Sequence, residues 1–489
     1  MQTRDPDPDT HDADMSGAAD TTRGRNALPP GADLRRWLAH LAATDRLAIA
    51  HPGVGLEYEL AGIANRLDGV RATFFPSPDG HAVPVVSGIV SNRAWMAEAL
   101  GVSGDALLTH FQHAAAHPLA NEPVARGPCQ DIVHADNLDL ARLLPAPTHN
   151  ELDSGPYVTA GLIVSRNPKT GAQNVAIVRL QVSGRDRLGA YLLPRHTLAF
   201  HDMAEQAGKD LPVAIVIGAG PAELLASQAI APLDCDELEI AGALVGRPLP
   251  VVQCRTSDIR VPAHAEIVLE GRILAGERAP EGPFGEFPQY YGERADRHVI
   301  AVDCITHRHD PIFHTIVGGG LEHLLLGCIP REATILQNVQ RLFPSVRDVT
   351  LARGGVCRYH LYMQMQPRSP GEAKNAMLAA FAAHYDIKQV VVVDPDVNIH
   401  DPDEVEWAVA TRFDAARDLI HIPGAQGSKL DPSSDNGVGS KLGFDATKPL
   451  DADEFTFKRI RVPGQEEIDL DDRIDAQAAL PARYRASDT

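Results

Sequence analysis

The spacing of apolar positions changes several times along the chain, and each change marks a different kind of element. After the turn at Leu28-Pro-Pro-Gly31, the residues Leu34, Trp37, Leu38 and Leu41 recur at three- and four-residue intervals, which predicts an amphipathic helix. Thr73-Phe-Phe-Pro76 and Ala82-Val-Pro-Val-Val86 predict short strands, and helices follow around 92–99 and 105–115. From 157 to 317 the pattern becomes β-rich, with runs at 158–164, 175–182, 190–193, 213–217, 251–254, 265–274, 298–305 and 311–317 between Gly and Pro turns. Many short strands bounded this way predict a barrel-like sheet. Next, 330–343 predicts a linker helix with Pro330 at its first position, where a missing N–H costs nothing. Strands at 349–351 and 359–366, an Ala-rich helix over 372–385 and the run Gln389-Val-Val-Val-Val393 predict a second, α/β unit whose last strand is buried on both faces. In Asp401-Pro-Asp-Glu404, Asp caps a helix, Pro opens its first turn and Glu reaches back to the cap. The fold class is α+β.

Composition narrows the function. A chain of 489 residues can hold two or three domains with full cores. The expected division is an acidic disordered tail (1–27), an N-terminal α/β segment (28–125), a barrel domain (126–329), a linker helix (330–345), a C-terminal domain (346–464) and a terminal tail or arm (465–489). Residues 1–26 carry six Asp and almost no large apolar residue, which does not suit a secretory signal; Met15 is an alternative start. A net charge of −20 repels nucleic acid and anionic membrane, so neither is an expected partner. The longest apolar runs fall short of the roughly 18–20 residues that span a bilayer. Cys129, Cys235, Cys254, Cys304, Cys328 and Cys357 are scattered without metal spacing, which points to free thiols in a reducing cytoplasm.

The chemistry concentrates in Glu281-Gly-Pro-Phe-Gly-Glu286-Phe-Pro-Gln-Tyr-Tyr-Gly292. Pro283 and Gly285 forbid a regular helix and hold two carboxylates on one bend, an arrangement suited to moving a proton to or from carbon. Gly218-Ala-Gly220 after an apolar run resembles a dinucleotide loop, but Glu223 occupies the third glycine position, so it reads as a turn. His307-Arg-His309 reads as a polar turn. His314 and His323 flank Gly318-Gly-Gly320 and are candidates to bond a ring heteroatom or a second carboxylate of a substrate.

With these segments in their order, the chain resembles the UbiD family of prenylated-FMN-dependent decarboxylases. The likeness runs over about 30–475 and includes Asn174-Val-Ala-Ile-Val-Arg179, Arg195-His196, Ala226-Ser227, Asp236-Glu237-Leu-Glu-Ile-Ala-Gly242 and Glu281–Glu286. It implies a split β-barrel flavin domain joined by a helix to an α/β oligomerisation domain. It also implies catalytic Arg179, Glu281 and Glu286. Asn174, His196 and Glu237 would hold manganese or magnesium, a mixed N/O set that suits hard divalent ions. Asn174, Ala176, Ile177, Val178, Arg179, Arg195, His196, Ala226, Ser227 and Glu237 would surround the cofactor, with potassium at the backbone carbonyls of 226–227. Ala176 and Val178 stand where the family often has Gly and Tyr.

The implied activity is reversible, non-oxidative decarboxylation of an unsaturated or heteroaromatic acid of the pyrrole, furan or indole carboxylate type. Phenylacrylic, hydroxybenzoic and aryl-CoA acids are alternatives. In this reading Glu286 is the proton donor, raised by desolvation, and Arg179 pairs with Glu281 and holds the substrate carboxylate. The protein is expected to form a homodimer or larger homo-oligomer, with a flavin prenyltransferase supplying its cofactor. A conventional flavin or nicotinamide oxidoreductase and a non-catalytic assembly subunit are the competing classes.

Overall fold

The computed structural model describes residues 28–453, 455–475 and 478; the acidic segment 1–27 and most of the chain after 475 lie outside the described residues. The largest element is a curled nine-stranded sheet. Its strands lie in the order Tyr157–Val158, Leu180–Val182, Arg187–Ala190, Ala295–His307, Ile267–Glu281, Leu211–Ile217, Leu162–Arg166 and Gln173–Ile177, with Ile132–His134 added on Ala295–His307. Every pairing in it is antiparallel. That direction removes the dinucleotide-fold reading of Leu211–Ile217, which requires a parallel βαβ unit. Gly218 adopts φ +78°, and a Cβ there would meet Glu266 at 2.5 Å, so the glycine serves a tight turn.

The two-residue period of the strands sorts their apolar side chains between two cores. Leu211, Val213, Ile215 and Ile217 face one, together with Ile163, Ile267 and Leu269. Ala214, Val216, Leu162, Val164 and Val268 face the other, which they share with the N-terminal helix residues Leu34, Trp37, Leu38 and Leu41. Bulges after Glu270 and Ile273 curl the two longest strands. At Gly271 a Cβ would lie 2.0 Å from the Ala301 carbonyl oxygen, so the bend admits only glycine.

Three expectations are corrected. The segment 311–317 does not extend the large sheet: Phe313–His314 pairs in parallel with Val85–Ser87, in a separate four-stranded sheet of the N-terminal segment. The helix expected to open at Pro330 runs from Leu321 to Leu342, with Pro330 in its interior. Gly320 is its N-cap, and burial of Leu321, Leu324, Leu326 and Ile329 offsets the backbone hydrogen bond that Pro330 cannot donate. In helix Pro402–Arg412, Asp401 caps the Asp403 N–H as expected, but Glu404 accepts from Asn398 N–H at 3.1 Å instead of closing back on the cap.

The C-terminal unit is a five-stranded mixed sheet in the order Val346–Leu351, His360–Met365, Gln389–Val393, Val438–Ala446 and Leu419–Gln426. Gln389–Val393 is central and parallel to both neighbours. Val390 and Val392 point into the main core, while Val391 and Val393 point into a smaller one under Pro402–Arg412. Among the described residues, no helix is long and apolar enough to cross a membrane.

Candidate active site

Arg179 sits in the break between strands Gln173–Ile177 and Leu180–Val182, and Glu281 is the last residue of Ile267–Glu281. The two side chains meet as a fork: Nε donates to Oε1 at 3.1 Å and Nη2 to Oε2 at 3.0 Å. The Tyr157 hydroxyl adds a third bond to Glu281 Oε1 at 3.1 Å, and burial raises the Tyr157 pKa above the usual phenol range. Glu281 is fully buried. Beyond it, Gly282 takes φ +84° and Pro283 follows, and Phe284–Gly285 pairs with Tyr291–Gly292 to close a small hairpin. Glu286 lies on that hairpin, its backbone N–H on the Tyr290 carbonyl, and its carboxylate reaches Arg179 Nη1. One guanidinium therefore spans both carboxylates. Its plane lies over the Tyr191 ring, 4.6 Å from the centroid, and Arg297 lies over the same ring at 4.2 Å.

A second cluster lies at the start of the same strand. Asn174 Oδ1 is 2.9 Å from His196 Nδ1, and Asn174 Nδ2 donates to Thr197 Oγ1 at 3.2 Å. Glu237, first residue of helix Glu237–Val245, accepts the Val175 N–H at 2.6 Å. Burial pushes Glu237 up to about 8 and draws His196 below its ordinary value, with the neighbouring Arg195 adding to the latter. An amide oxygen from a strand and an imidazole and a buried carboxyl from the first residues of two helices line one wall of a cavity, and such a donor set fits a hard divalent ion. Ser227 lines the cavity beside it, whereas Ala226 is buried in helix Pro221–Ala226 and offers its carbonyl to the Ala229 N–H at 2.9 Å.

Both clusters open on one cavity of about 960 Å³, walled by the large sheet, the helix Leu321–Leu342 and the turn between Leu419–Gln426 and Val438–Ala446. Asn174, Ala176, Ile177, Val178, Arg179, Arg195, His196, Ser227, Glu237 and Glu286 all line it. Glu281 does not reach it and stands behind Arg179. The volume is at the upper end for ligand sites, enough for a nucleotide-sized cofactor beside a small acid.

The two histidines separate. His323 lines the cavity; its Nδ1 accepts the Gly319 N–H at 3.2 Å and its ring lies edge-on to Phe287. Burial, then Arg358, Arg331 and Arg179, hold its pKa at about 4, so the ring is neutral. His314 does not line the cavity, which corrects its expected contact with substrate. It is fully buried in its short strand, with Nε2 3.2 Å from Glu322 Oε1. Glu322 in turn accepts Gly88 N–H at 2.7 Å and Val90 N–H at 3.2 Å, so this pair ties the long helix to the N-terminal segment.

Sequence reasoning missed two cavity residues. Arg331, only 7% exposed, and Arg358, whose guanidinium lies 3.9 Å from the Phe287 centroid, face the cavity together. Burial lowers both guanidinium pKa values, Arg331 and Arg358 are close neighbours, and Asp386 is the acidic group beside both. No sequence pattern marks Arg358; Arg331 was hidden by reading Pro330 as a helix start.

Comparison with known proteins gives the family and the fold. Residues 122–321 match the family model described as the 3-octaprenyl-4-hydroxybenzoate carboxy-lyase Rift-related domain, 324–446 its C-terminal domain and 38–115 its N-terminal domain. The chain is 39% identical over 380 residues to the anhydromevalonate phosphate decarboxylase of Methanothermobacter thermautotrophicus, covering 77% of this chain and 88% of that protein. The solved structure of the UbiD-class enzyme HmfF from Pelotomaculum thermopropionicum in complex with FMN has a TM-score of 0.89 at 46% identity, covering 90% of this chain and 100% of that one. An evolved dimeric form of HmfF in complex with prFMN has a TM-score of 0.85 at 44% identity over the same shares. Apo 3,4-dihydroxybenzoic acid decarboxylase from Enterobacter cloacae follows at 0.84 and 32% identity, covering 89% of this chain and 98% of that one.

Proposed function

The chain belongs to the UbiD family of prenylated-FMN decarboxylases, and we propose that its substrate is a small unsaturated or heteroaromatic acid bearing a second anionic group, decarboxylated reversibly and without net oxidation. The observation that carries the substrate reading is the pair of buried Arg331 and half-buried Arg358, side by side on the cavity, with Asp386 as the acidic neighbour of both among the described residues. An under-compensated buried charge costs several kcal/mol, so this end of the cavity favours an anion. His323 responds to Arg331, Arg358 and Arg179 together, which supports placing the pair near the reacting end. The relative named for anhydromevalonate phosphate is consistent with a dianionic acid.

The prenylated flavin, when bound, supplies the electron sink needed when CO2 leaves an sp² carbon. The remaining work belongs to side chains. The fork to Glu281, itself held by the Tyr157 hydroxyl, fixes the guanidinium, so that as Glu286 turns away Arg179 Nη1 is left aimed to hold the carboxylate that will be lost. Glu286, which is not held by the fork and which borders the cavity, carries the proton and delivers it to carbon. Asn174, His196 and Glu237 would hold manganese or magnesium against the cofactor phosphate, with potassium at the carbonyls around 226–227. Assembly as a homodimer or larger through the C-terminal unit, readable by light scattering, and a flavin prenyltransferase as cofactor supplier complete the proposal.

The test is a panel on holoenzyme co-expressed with a flavin prenyltransferase: furan, pyrrole and thiophene 2-carboxylates against their 2,5-dicarboxylates, and a phosphorylated unsaturated acid. One charge-assisted hydrogen bond contributes about 1.5–3 kcal/mol, so a dianionic acid should exceed its monoacid at least about tenfold in kcat/KM. Equal turnover of mono- and diacids would overturn the substrate reading.

A further inference from the structure

Decarboxylation consumes a proton. The C–C bond to the carboxylate breaks, its electron pair stays on carbon, Glu286 gives up its proton to form the new C–H bond, and CO2 leaves. Glu286 is then a carboxylate and must regain a proton from bulk water before the next cycle. In the Michaelis complex the large cavity in front of it is filled by cofactor and acid.

A second opening lies on the other side of the same hairpin. This cleft of about 430 Å³ is lined by Asn65, Asp68, Asn150, Gln289, Tyr291 and Arg353, and it shares Glu286 and Gly318 with the large cavity. A cleft of that size takes on the order of ten waters, and the polar groups lining it can bond them. Gly318 borders both spaces, while Gly319 and Gly320 line the cleft alone. A Cβ on Gly318 would lie 2.3 Å from the Gly285 carbonyl oxygen, and one on Gly320 would lie 3.4 Å from Asp68 Oδ2. Gly319 holds φ +73°, with its Cβ position 3.1 Å from Gln289 Cγ. Side chains here would collide with the hairpin that carries Glu286 or narrow the cleft, which accounts for three consecutive glycines.

We propose that the cleft between Asn65, Asn150, Gln289 and the triple glycine is a water-filled proton port that reloads Glu286 from bulk solvent while the main cavity is occupied. The proposal rests on the reading of Glu286 as the proton donor. It assigns a task to the glycine run that substrate binding leaves unexplained.

The experiment uses holoenzyme with furan-2,5-dicarboxylate or, if that is not turned over, the best acid of the panel above. Asn65→Trp, at an exposed position on the cleft's mouth, and Gln289→Leu, which removes a polar lining group, obstruct the port; Asn65→Ala leaves it open. Enzyme equilibrated in H2O is mixed rapidly with substrate in D2O, and first-turnover product is analysed by mass. Wild type and Asn65→Ala should place deuterium at the new C–H, because Glu286 exchanges before it reacts. The obstructed variants should show kcat reduced severalfold, an enlarged solvent isotope effect and unchanged KM, while their first-turnover label matches wild type, because Glu286 also exchanges through the large cavity before the acid enters it. If both give wild-type kcat and isotope effects while Glu286→Gln is inactive, the port is wrong and the donor assignment stands. If Glu286→Gln remains active, the donor assignment fails first. A fall in kcat/KM that grows with substrate size, without an isotope effect, would make the cleft a substrate path and overturn the proposal.

Discussion

Arg179 and Glu281 form a two-point fork at 3.1 and 3.0 Å, and the carboxylate has no exposed surface. Removing only the cation leaves a buried charge without its counter-ion. Arg179→Met should therefore cost about 3–5 kcal/mol of stability. Adding Glu281→Leu should recover much of that loss without restoring activity. Chemical denaturation of the single and double variants measures both; a single variant as stable as wild type would show that the fork is dispensable to the fold.

Cofactor retention should depend on the second cluster. Asn174→Ala, His196→Ala and Glu237→Ala each remove one donor where the phosphate and its cation are proposed to sit. Visible absorption and metal analysis of purified protein should show reduced flavin and reduced manganese or magnesium, with the unfolding midpoint changed less than the occupancy. Full occupancy in all three variants would remove this set from the cofactor's site.

The two histidines should give different phenotypes. His323→Asn and Arg331→Met alter the anion-facing wall and should narrow the ratio of diacid to monoacid kcat/KM by about tenfold, since a lost charge-assisted bond contributes 1.5–3 kcal/mol. His314→Ala breaks the link to Glu322 and should lower the thermal midpoint while leaving that ratio alone. The reverse pattern would place the selectivity elsewhere.

Acid should destabilise the fold well before its carboxylates titrate. Burial holds His149, His298 and His323 at about 4 and His384 at about 3, against 6.5 for free imidazole. Between those values the unfolded chain binds more protons than the folded one, so stability rises with pH. These four contributions are complete above about 6.5 and shrink as pH falls towards 4. His264, raised by Glu223 despite its burial, and Glu237, pushed up to about 8 by burial, work the other way, but they are two groups against four. The denaturant midpoint at pH 5 should lie below that at pH 7.5; an equal or higher midpoint at pH 5 would contradict the burial argument.

What was legible in the sequence is what depends on local pattern. Gly282, Pro283 and Gly285 mark a bend whatever surrounds it, so Glu281 and Glu286 could be picked out together. Four consecutive valines can only be a strand covered on both sides, and Val390–Val393 divide between two cores. What was not legible depends on distant partners. Phe313–His314 leaves the large sheet because its partner is Val85–Ser87, more than 200 residues upstream. Pro330 normally signals a helix start, and only tertiary burial of Leu321–Ile329 carries the helix through it, which in turn aims Arg331 into the cavity. Arg358 follows Val356 and Cys357, both at φ +51°, a backbone turn that no local residue preference announces.

The measurement closest to the central claim is turnover of Glu286→Gln holoenzyme. The amide keeps the shape of the carboxyl and its place on the Phe284–Gly285 hairpin but has no proton to give at neutral pH. Decarboxylation should fall at least about 100-fold, while prenylated-FMN content and the unfolding midpoint stay at wild-type values. Near-wild-type turnover with full cofactor would contradict Glu286 as the residue that protonates the substrate carbon.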